Sequence, residues 1–338
     1  MNLSEKLQLA YFKLKHSKKA LLIGHISPDA DALASVGAMI EICSSLNIES
    51  YSYADGLMVD SFNFIPNANK ISPQPPTDLL DFDIIVILDC GSISRTALKD
   101  RLETMLCLKK EGKIPERPYI IEIDHHVPQD AYADLEIRLP DKASTTEIIF
   151  HLLQVNGHAI TKSLADCILI GLMTDTGHFL HANSSREALA VASEMLLRGA
   201  SMPNIISNTV SNKSYTSLKI WGKALESMSL NKKTGLAVVA FTAPDIKGFF
   251  EGSADGGLDV DIYGDIVSFI SRLEGVRASL LLREEDGKVK GSLRTVCDDI
   301  DVSQIARNWD GGGHKKAAGF SLAGRLKKTE TGWKVIKG

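Results

Sequence analysis

The cysteines of this chain form no pattern that a disulfide framework or a thiolate metal site would need. Five are present, an odd number, and no two of them form a Cys-x-x-Cys pair. Disulfide-rich secreted domains and Cys-type zinc sites are therefore excluded, and scattered thiols of this kind are typical of a reduced protein. We accordingly expect a cytoplasmic location. The cysteines are Cys43, Cys90, Cys107, Cys167 and Cys297.

Long apolar runs, excess positive charge and internal repeats are also missing. No run reaches the ~20 apolar residues that a membrane-spanning helix needs, and residues 3–19 mix charged and apolar side chains, unlike a secretory signal. The formal net charge of −4 argues against a broad surface for duplex nucleic acid, although a local pocket can still hold a short oligonucleotide. We expect neither export nor membrane anchoring.

The length and composition are those of a globular protein with two domains. The chain has 338 residues, of which 44% are hydrophobic and 24% charged. Apolar runs alternate with helix-like segments, including an apolar helix with a capping box at 144–147, which predicts an α/β domain over 1–185. A helical connection is expected over 186–230 and a smaller α+β domain over 231–338. The strands predicted in this second domain are 236–242, 278–283 and 289–295.

Three short apolar runs of the first domain each lead into Asp or His residues. Such runs are typical of parallel strands, and ligands of an open α/β sheet bind beyond the carboxyl ends of the strands. The polar residues should therefore meet in one crevice, together with Asp175, which follows another apolar stretch. The runs are 20–23, 84–88 and 119–123, and the residues after them are His25, Asp29 and Asp31, then Asp89, then Asp124, His125 and His126.

The candidate ligands are carboxylates and imidazoles, a set that suits Mn²⁺, Mg²⁺ or Fe²⁺. A single Asp after a strand is more often a helix cap than a metal ligand, and a lone His is more often an ordinary hydrogen-bonded residue. Several such residues in this joint pattern favour metal ligands instead. Four carboxylates in one crevice repel each other unless cations neutralise them, which indicates two divalent ions. Such a pair supports phosphoryl displacement by water, so hydrolysis of a phosphate ester or anhydride is the predicted reaction class.

A glycine-rich segment near the C-terminus indicates a second kind of site. Gly311 to Gly313 precede His314 and two lysines, and glycines let backbone N–H groups approach an anion, which predicts a phosphate-binding nest. The alternative is a flexible surface turn. Arg294 lies at the end of a predicted strand. Its guanidinium suits bidentate contact with a phosphate, but an ordinary surface position is the alternative here too. The histidines outside any ligand spacing, which we expect on the surface or in packing, are His16, His151 and His158.

In their order along the chain, these motifs resemble the DHH phosphoesterase superfamily, in the branch that carries a DHHA1-type C-terminal domain. The likeness is greatest to its bifunctional oligoribonuclease and pAp phosphatase group. It covers nearly the whole chain, with 25–31, Asp89, 124–126 and Asp175 matching four motifs and 311–320 the glycine motif. The resemblance implies an open, mainly parallel α/β domain, a smaller α+β domain and an active site in the cleft between them.

The resemblance also implies the role of each residue. His126 would face the scissile phosphate as a charge stabiliser or proton donor, and Asp124 would orient the site. Asp89 would bridge two metal ions, with Mn²⁺ expected and Mg²⁺, Co²⁺ or Fe²⁺ as alternatives. The implied ligands are His25, Asp29 and Asp89 for one metal and Asp31, Asp89, His125 and Asp175 for the other; the implied substrate-binding residues are Arg294, Gly311, Gly312, Gly313 and His314.

The activity that this resemblance implies is that of a 3′-5′ exoribonuclease and phosphatase. It would release nucleoside 5′-monophosphates from very short RNA or dinucleotides and dephosphorylate 3′-phosphoadenosine 5′-phosphate (pAp). The assembly that the resemblance implies is a homodimer. The nearest alternative is a phosphodiesterase for cyclic or linear dinucleotides. An exopolyphosphatase or pyrophosphatase is a further alternative, and a nucleotide sensor without turnover is the non-enzymatic one.

Overall fold

The computed structural model describes residues 1–56, 62–127, 131–211, 214–250, 262–329 and 332–336. Backbone contacts divide the chain into two compact units, Met1–Ser211 and Asn212–Gly338. The domain boundaries expected from the sequence, at 185 and 230, stay a prediction. Among the helices of the described ranges, none combines the length and the apolar character that a membrane span requires.

The first unit contains a parallel sheet, as the sequence predicts, with two strands, Glu49–Tyr53 and Leu135–Arg138, beside the three that were predicted. Its strands are β1 (Lys19–Ile23), β2 (Glu49–Tyr53), β3 (Ile84–Leu88), β4 (Tyr119–Asp124) and β5 (Leu135–Arg138). They lie in the order β2-β1-β3-β4-β5, and every neighbouring pair is parallel. The α-helices are α1 (Leu3–Lys15), α2 (Ala30–Ser45), α3 (Lys99–Lys110), α4 (Thr145–Val155), α5 (Lys162–Asp175), α6 (Arg186–Leu197) and α7 (Met202–Ile206).

Side chains of the central strands alternate between two apolar layers. Leu22 and Val86 belong to the layer that contains the buried faces of α2, α4 and α5. Leu21 and Ile85 belong to the layer that contains residues of α3. A strand buried on both faces has a continuous apolar sequence, which is the character of β3. The sheet is therefore fixed from both sides, and the polar residues that follow its strands lie at its carboxyl edge.

The start of α4 differs in one detail from the predicted capping box. Ser144 Oγ accepts a hydrogen bond from Glu147 N at 3.1 Å, as predicted. The reciprocal bond is displaced by one residue, because the Glu147 carboxylate accepts from Ala143 N at 2.7 Å. The helix begins where the sequence places it, with its first N–H groups directed towards the carboxyl edge of the sheet.

The second unit is a mixed α+β structure, in agreement with the prediction. Its helices are α8 (Tyr215–Ser227), α9 (Ala243–Phe250), α10 (Ile262–Ile270) and α11 (Val302–Arg307). Its strands are β6 (Ser229–Asn231), β7 (Leu236–Phe241), β8 (Ala278–Glu285), β9 (Lys288–Arg294), β10 (Gly312–His314), β11 (Ala317–Ala323), β12 (Arg325–Thr329) and β13 (Gly332–Ile336). Six of these form a sheet in the order β10-β11-β9-β8-β7-β6, in which β7 and β8 are parallel and the other neighbours antiparallel. Strands β12 and β13 pair separately.

Candidate metal centre

Three neighbouring strands of the first unit each deliver one candidate ligand. His25 follows β1, Asp89 follows β3 and His125 follows β4, and these strands are adjacent in the sheet. Because parallel strands end on the same edge, the three side chains meet there. Asp89 has a φ of 59°, a left-handed conformation that Asp and Asn tolerate better than most residues.

Three further candidate ligands come from the ends of helices. Asp29 is the N-cap of α2, where its Oδ1 accepts from Ala32 N at 3.0 Å. Asp31 lies in the first turn of the same helix and is fully buried. Asp175 is the last residue of α5. The helix-cap interpretation of Asp29 is therefore correct for one oxygen, while its other oxygen faces the strand edge.

A first group of ligand atoms is formed by His25, Asp29 and Asp89, whose nearest donor atoms lie within 4.8 Å of one another. His25 Nε2 is 3.7 Å from Asp29 Oδ2 and 3.9 Å from Asp89 Oδ2. His25 Nδ1 lies 2.9 Å from the carbonyl oxygen of Ile26. That bond needs the proton on Nδ1, which leaves Nε2 as the ring atom directed at the two carboxylates. Nε2 is therefore the atom that could bind a metal ion once it is deprotonated.

A second group is formed by Asp31, His125 and Asp175, again with donor atoms within 4.8 Å of one another. His125 Nε2 lies 3.1 Å from Asp175 Oδ2 and 3.4 Å from Asp89 Oδ1. The two oxygens of Asp89 thus face different groups, Oδ2 towards His25 and Oδ1 towards His125. Among the residues that the structure describes, Asp89 is the one that connects both groups.

The pKa values of Asp31, Asp175 and His125 are all raised, as expected where negative charges outnumber positive ones. Burial, and then the charges of Asp175 and Asp89, raise the pKa of Asp31 well above its ordinary value. Burial also raises the pKa of Asp175, to about 6. Burial alone would lower the pKa of His125, but hydrogen bonds to Asp175 and Asp89 raise it to about 12. The carboxylates thus repel one another, and they raise the pKa of His125 because its positive charge offsets theirs. Carboxylate oxygens and imidazole nitrogens in such surroundings form a donor set that fits hard or borderline divalent cations.

The N-terminus of α4 holds two of these carboxylates in place. Asp31 Oδ2 accepts from Thr145 N at 2.7 Å, and Asp31 Oδ1 accepts from Thr146 N at 3.2 Å. The Thr145 hydroxyl donates to Asp89 Oδ1 at 2.9 Å. The positive end of a helix dipole favours the charged form of such carboxylates. Sequence reasoning did not single out Thr145, although the capping box beside it marks the start of the helix.

Asp31 occupies space that is available because residue 171 of α5 is a glycine. A Cβ built on Gly171 would lie 2.0 Å from Asp31 Oδ1 and 2.2 Å from Thr146 Oγ1. No side chain can be accommodated at those distances without moving the carboxylate. The close approach of α5 to the start of α4 is therefore part of what positions Asp31.

Asp124 and His126 form a hydrogen-bonded pair beside Asp89. Asp124 Oδ1 accepts from both the backbone N–H and the Nδ1–H of His126, each at 2.7 Å, and Oδ2 accepts from Gly91 N. Burial alone would raise the pKa of Asp124, but the bonds and charge of His126 and the Gly91 N–H lower it. His126 Nδ1 is also 3.5 Å from Asp89 Oδ1. Asp124 thus fixes the His126 ring, with Nε2 left as its remaining polar atom.

Cys90, next to Asp89, is a packing residue and not a nucleophile. Its side chain is buried, and burial raises the pKa of the thiol well above its ordinary value. Its Sγ donates to the carbonyl oxygen of Leu88 at 3.4 Å. A thiol in such surroundings stays protonated and unreactive.

Two of the predicted substrate-binding residues, Arg294 and His314, lie in one row of the second sheet. Arg294 ends β9 and His314 ends β10, and both are paired with Ala317 of β11, which lies between those strands. Residues directly opposite each other project from the same face of a sheet, and adjacent strands are about 4.8 Å apart. The two side chains therefore project from one face of the second unit, two strands apart.

The glycine segment is neither the flexible turn nor a fully open nest. Residues 312–314 form a short strand at the edge of the sheet, and Gly311 N donates to the carbonyl oxygen of Ala306 at 3.0 Å, so this N–H is already used. A Cβ on Gly311 would lie 2.3 Å from the Gly319 oxygen, and Gly313 has a φ of 137°. Close packing of α11, β10 and β11 thus requires glycine here, whatever the segment binds.

His151, expected on the surface or in packing, lies in a separate charged cluster. Its Nε2 is 3.2 Å from Glu187 Oε1 and 3.9 Å from Glu147 Oε1. Lys142 Nζ lies 2.5 Å from Glu187 and 3.9 Å from Glu147. Because the Lys142 ammonium lies close to both carboxylates and offsets part of their charge, we interpret the cluster as an ion-pair network that joins α4 to α6.

Each of the two units matches a known protein family. The DHH family, N-terminal domain, matches residues 19–172, and the DHHA1 domain matches residues 237–332. The bifunctional oligoribonuclease and PAP phosphatase NrnA of Thermus thermophilus is 28% identical over 95% of this chain and 89% of its own length. The protein of the same name from Bacillus subtilis is 24% identical over 89% of this chain and 88% of its own.

A solved structure is similar over the same extent. The crystal structure of an exopolyphosphatase-related protein from Bacteroides fragilis superposes with a TM-score of 0.80 at 25% identity, covering 94% of this chain and 90% of the other. The similarity thus extends over both units, and not only over the parallel sheet that carries the candidate ligands.

Proposed function

Because this chain belongs to the DHH family of phosphoester hydrolases and carries a C-terminal DHHA1 domain, we propose that it hydrolyses short oligoribonucleotides to nucleoside 5′-monophosphates. As a second substrate we propose pAp. The names of the two NrnA relatives support both activities. The expectation of a short substrate agrees with the net charge of −4, which offers little attraction to a long polyanion.

The observation that carries this proposal is the position of Asp89 between two ligand groups. We propose that one divalent ion is held by His25, Asp29 and Asp89, and a second by Asp31, Asp89, His125 and Asp175, with Mn²⁺ as the first choice. Such a pair, when bound, lowers the pKa of water and stabilises charge on the phosphoryl oxygens. The donor chemistry of the site and its unneutralised carboxylates support this assignment.

The protein's own residues contribute position and protons. In the proposal, Asp124 keeps the Nδ1 proton of His126 and so fixes the ring, and a protonated Nε2 donates its proton to the leaving 3′-oxygen, which departs as a 3′-hydroxyl. Arg294, His314 and the glycine segment 311–313 bind the phosphate or the terminal nucleotide. The row that Arg294 and His314 form across β11 supports the idea that they act on one ligand.

The test is hydrolysis in the presence of Mn²⁺, with four substrates compared at equal concentration. These are a 5′-phosphorylated RNA dinucleotide, pAp, inorganic polyphosphate and a cyclic dinucleotide. We expect the dinucleotide to be cleaved with the highest kcat/KM, and Asp89→Asn to abolish cleavage. Asn is chosen over Ala because residue 89 has a positive φ that Asn tolerates.

Each other result selects a different function. A higher kcat/KM for the cyclic dinucleotide would assign a cyclic-dinucleotide phosphodiesterase, and a preference for polyphosphate would assign an exopolyphosphatase. Binding of AMP without turnover of any substrate would indicate a nucleotide sensor. Cleavage that survives both chelation and Asp89→Asn would remove the metal mechanism.

The proposed setting is cytoplasmic, and the proposed assembly is a homodimer. Light scattering coupled to gel filtration measures the mass of the particle directly. A mass near that of one 36.8 kDa chain would reject the dimer without affecting the proposed chemistry.

A further inference from the structure

Arg95 is a basic residue at the candidate metal centre that the sequence motifs do not include. It follows Asp89 by six residues and lies in the 3₁₀ turn Ile93–Thr96. Its carbonyl oxygen accepts a hydrogen bond from Ile26 N at 2.8 Å. That bond ties the backbone of Arg95 to the loop that carries His25, so the turn belongs to the frame of the site.

The side chains of Arg95 and His126 approach the same point. A Cβ built on Gly91 would lie 3.6 Å from Arg95 Nη1 and 3.4 Å from His126 Cγ. Gly91 has no Cβ, and its φ of 69° also favours glycine. The guanidinium of Arg95 therefore lies on the same side of Gly91 as the His126 imidazole. His126 is the residue that faces the scissile phosphate in the proposed mechanism.

The guanidinium of Arg95 makes no hydrogen bond or ion pair to the described ranges of the chain, although its residue is half-buried. Other half-buried arginines of this unit are paired. Arg138 bonds the buried Glu122, and Arg101 donates to the carbonyl oxygens of Pro76 and Thr77. The charge of Arg95 acts on the nearby Asp29 carboxylate, but its N–H donors bond to none of the described residues. Partly desolvated donors of this kind are unfavourable unless a ligand accepts their hydrogen bonds.

We propose that Arg95 is a catalytic residue that binds a non-bridging oxygen of the phosphate that His126 faces. A planar guanidinium with several N–H donors suits phosphate oxygens, and its charge stabilises the transition state of phosphoryl transfer. The carboxylates of the centre bind cations and repel an incoming phosphate. Arg95 supplies attraction from the protein itself. This inference rests on the proposed function, because it assumes a phosphate at the same site.

The experiment measures AMP binding separately from turnover. Calorimetry in Mn²⁺ gives the Kd of 5′-AMP for the wild type, Arg95→Gln, Arg95→Lys and Arg198→Gln. Arg198 is the matched control, since its guanidinium pairs with Glu194 on its own helix, α6. Manganese content and circular dichroism are measured on the same samples.

We expect Arg95→Gln to weaken AMP binding by about 10- to 100-fold and to lower kcat/KM for the dinucleotide by about 100-fold or more. Arg95→Lys should lie between the wild type and the Gln variant, because it keeps the charge but not the planar fork. Arg198→Gln and the manganese content of all variants should match the wild type.

The inference and the proposed function fail in different ways. Wild-type turnover with unchanged AMP binding in Arg95→Gln would overturn the role of Arg95 and leave the function intact. Loss of manganese in that variant would show that Arg95 acts on the metal centre instead, and absence of AMP binding in the wild type would also overturn the inference. AMP binding through Arg95 without hydrolysis of any substrate would reject only the proposed function.

Discussion

The Thr145 hydroxyl donates a hydrogen bond to Asp89 Oδ1 at 2.9 Å, while the backbone N–H of Thr145 donates to Asp31 Oδ2 at 2.7 Å. One residue at the start of α4 therefore holds a carboxylate from each of two other elements. In the proposed centre, Asp89 would belong to both ligand groups, so its orientation would affect the binding of both ions. Mutation of a residue that hydrogen-bonds to a metal ligand typically lowers metal affinity or activity by about 10- to 100-fold.

Thr145→Val should weaken Mn²⁺ binding by about 10- to 100-fold, because it removes the hydroxyl and keeps the shape and the backbone N–H. Titration calorimetry with Mn²⁺ measures the change, and Thr145→Ser is the control because it retains the hydroxyl. Equal Mn²⁺ affinity in the Val and Ser variants would mean that this hydrogen bond does not position Asp89.

Gly171→Ala should destabilise the protein by about 1–3 kcal/mol, because its Cβ would lie 2.0 Å from Asp31 Oδ1. On helix propensity alone the same change would stabilise by about 1 kcal/mol, so the sign of the effect decides between packing and propensity. Gly222→Ala in α8 is the matched control, since nothing lies within 4 Å of its Cβ. Urea unfolding of both variants should give free-energy changes of opposite sign.

Asp83→Asn should cost about 1–2 kcal/mol of stability at pH 7. Asp83 Oδ2 accepts from Lys18 N and Lys19 N at 2.8 and 3.1 Å, and Oδ1 accepts from Arg117 Nη1 at 2.9 Å. The Lys18 N–H bond is the largest cause of its lowered pKa. A carboxyl with a lowered folded pKa stabilises above its unfolded pKa, and the contribution disappears as pH falls through the folded pKa.

The difference in unfolding free energy between the wild type and Asp83→Asn should therefore become smaller as the pH falls from the unfolded pKa of Asp83 to its folded pKa. Urea unfolding at pH 7 and at about pH 3, below the ordinary pKa of Asp, makes the comparison. A difference of equal size at both pH values would contradict a role for the ionised carboxylate.

Removal of divalent metal should destabilise the first unit. Free Mn²⁺ at a hundred times its Kd stabilises the folded state by about 2.7 kcal/mol for one site, and chelation removes that increment. Asp89→Asn should abolish the response to Mn²⁺, whereas Asp141→Asn, an exposed carboxylate outside the two ligand groups, should retain it. A wild-type protein whose unfolding is indifferent to Mn²⁺ would count against the proposed centre.

Much of the site follows from local sequence, for a physical reason. Apolar runs such as 84–88 can be buried on both faces only within a covered parallel sheet, and the next polar residue then lies at its edge. His25, Asp89 and His125 were predictable in this way because each directly follows a strand. Asp175 was predicted in the same crevice because it follows an apolar stretch, although that stretch is a helix and not a strand.

Other parts of the site could not be predicted because they depend on distant segments. Arg95 lies in an unremarkable turn of the sequence, and its proximity to His126 depends on the adjacency of β3 and β4. The glycines at 311 and 313 were assigned to a nest or a flexible turn. The second sheet requires glycine at both positions for the close packing of β10 against β11, and their role in substrate binding stays a prediction.

The sequence by itself determined the parallel sheet, the residues at its carboxyl edge and the chemical character of the donor set. These depend on short-range patterns, in which apolar periodicity selects the strands and the residue type selects the ligand atom. Only the tertiary structure decided that the two oxygens of Asp89 face different ligand groups, that Thr145 and Gly171 fix Asp31, and that Arg95 lies beside His126. Those relationships join segments that are far apart in the sequence, in the case of Thr145 and Asp31 by 114 residues. Packing between elements, not local preference, sets their distances.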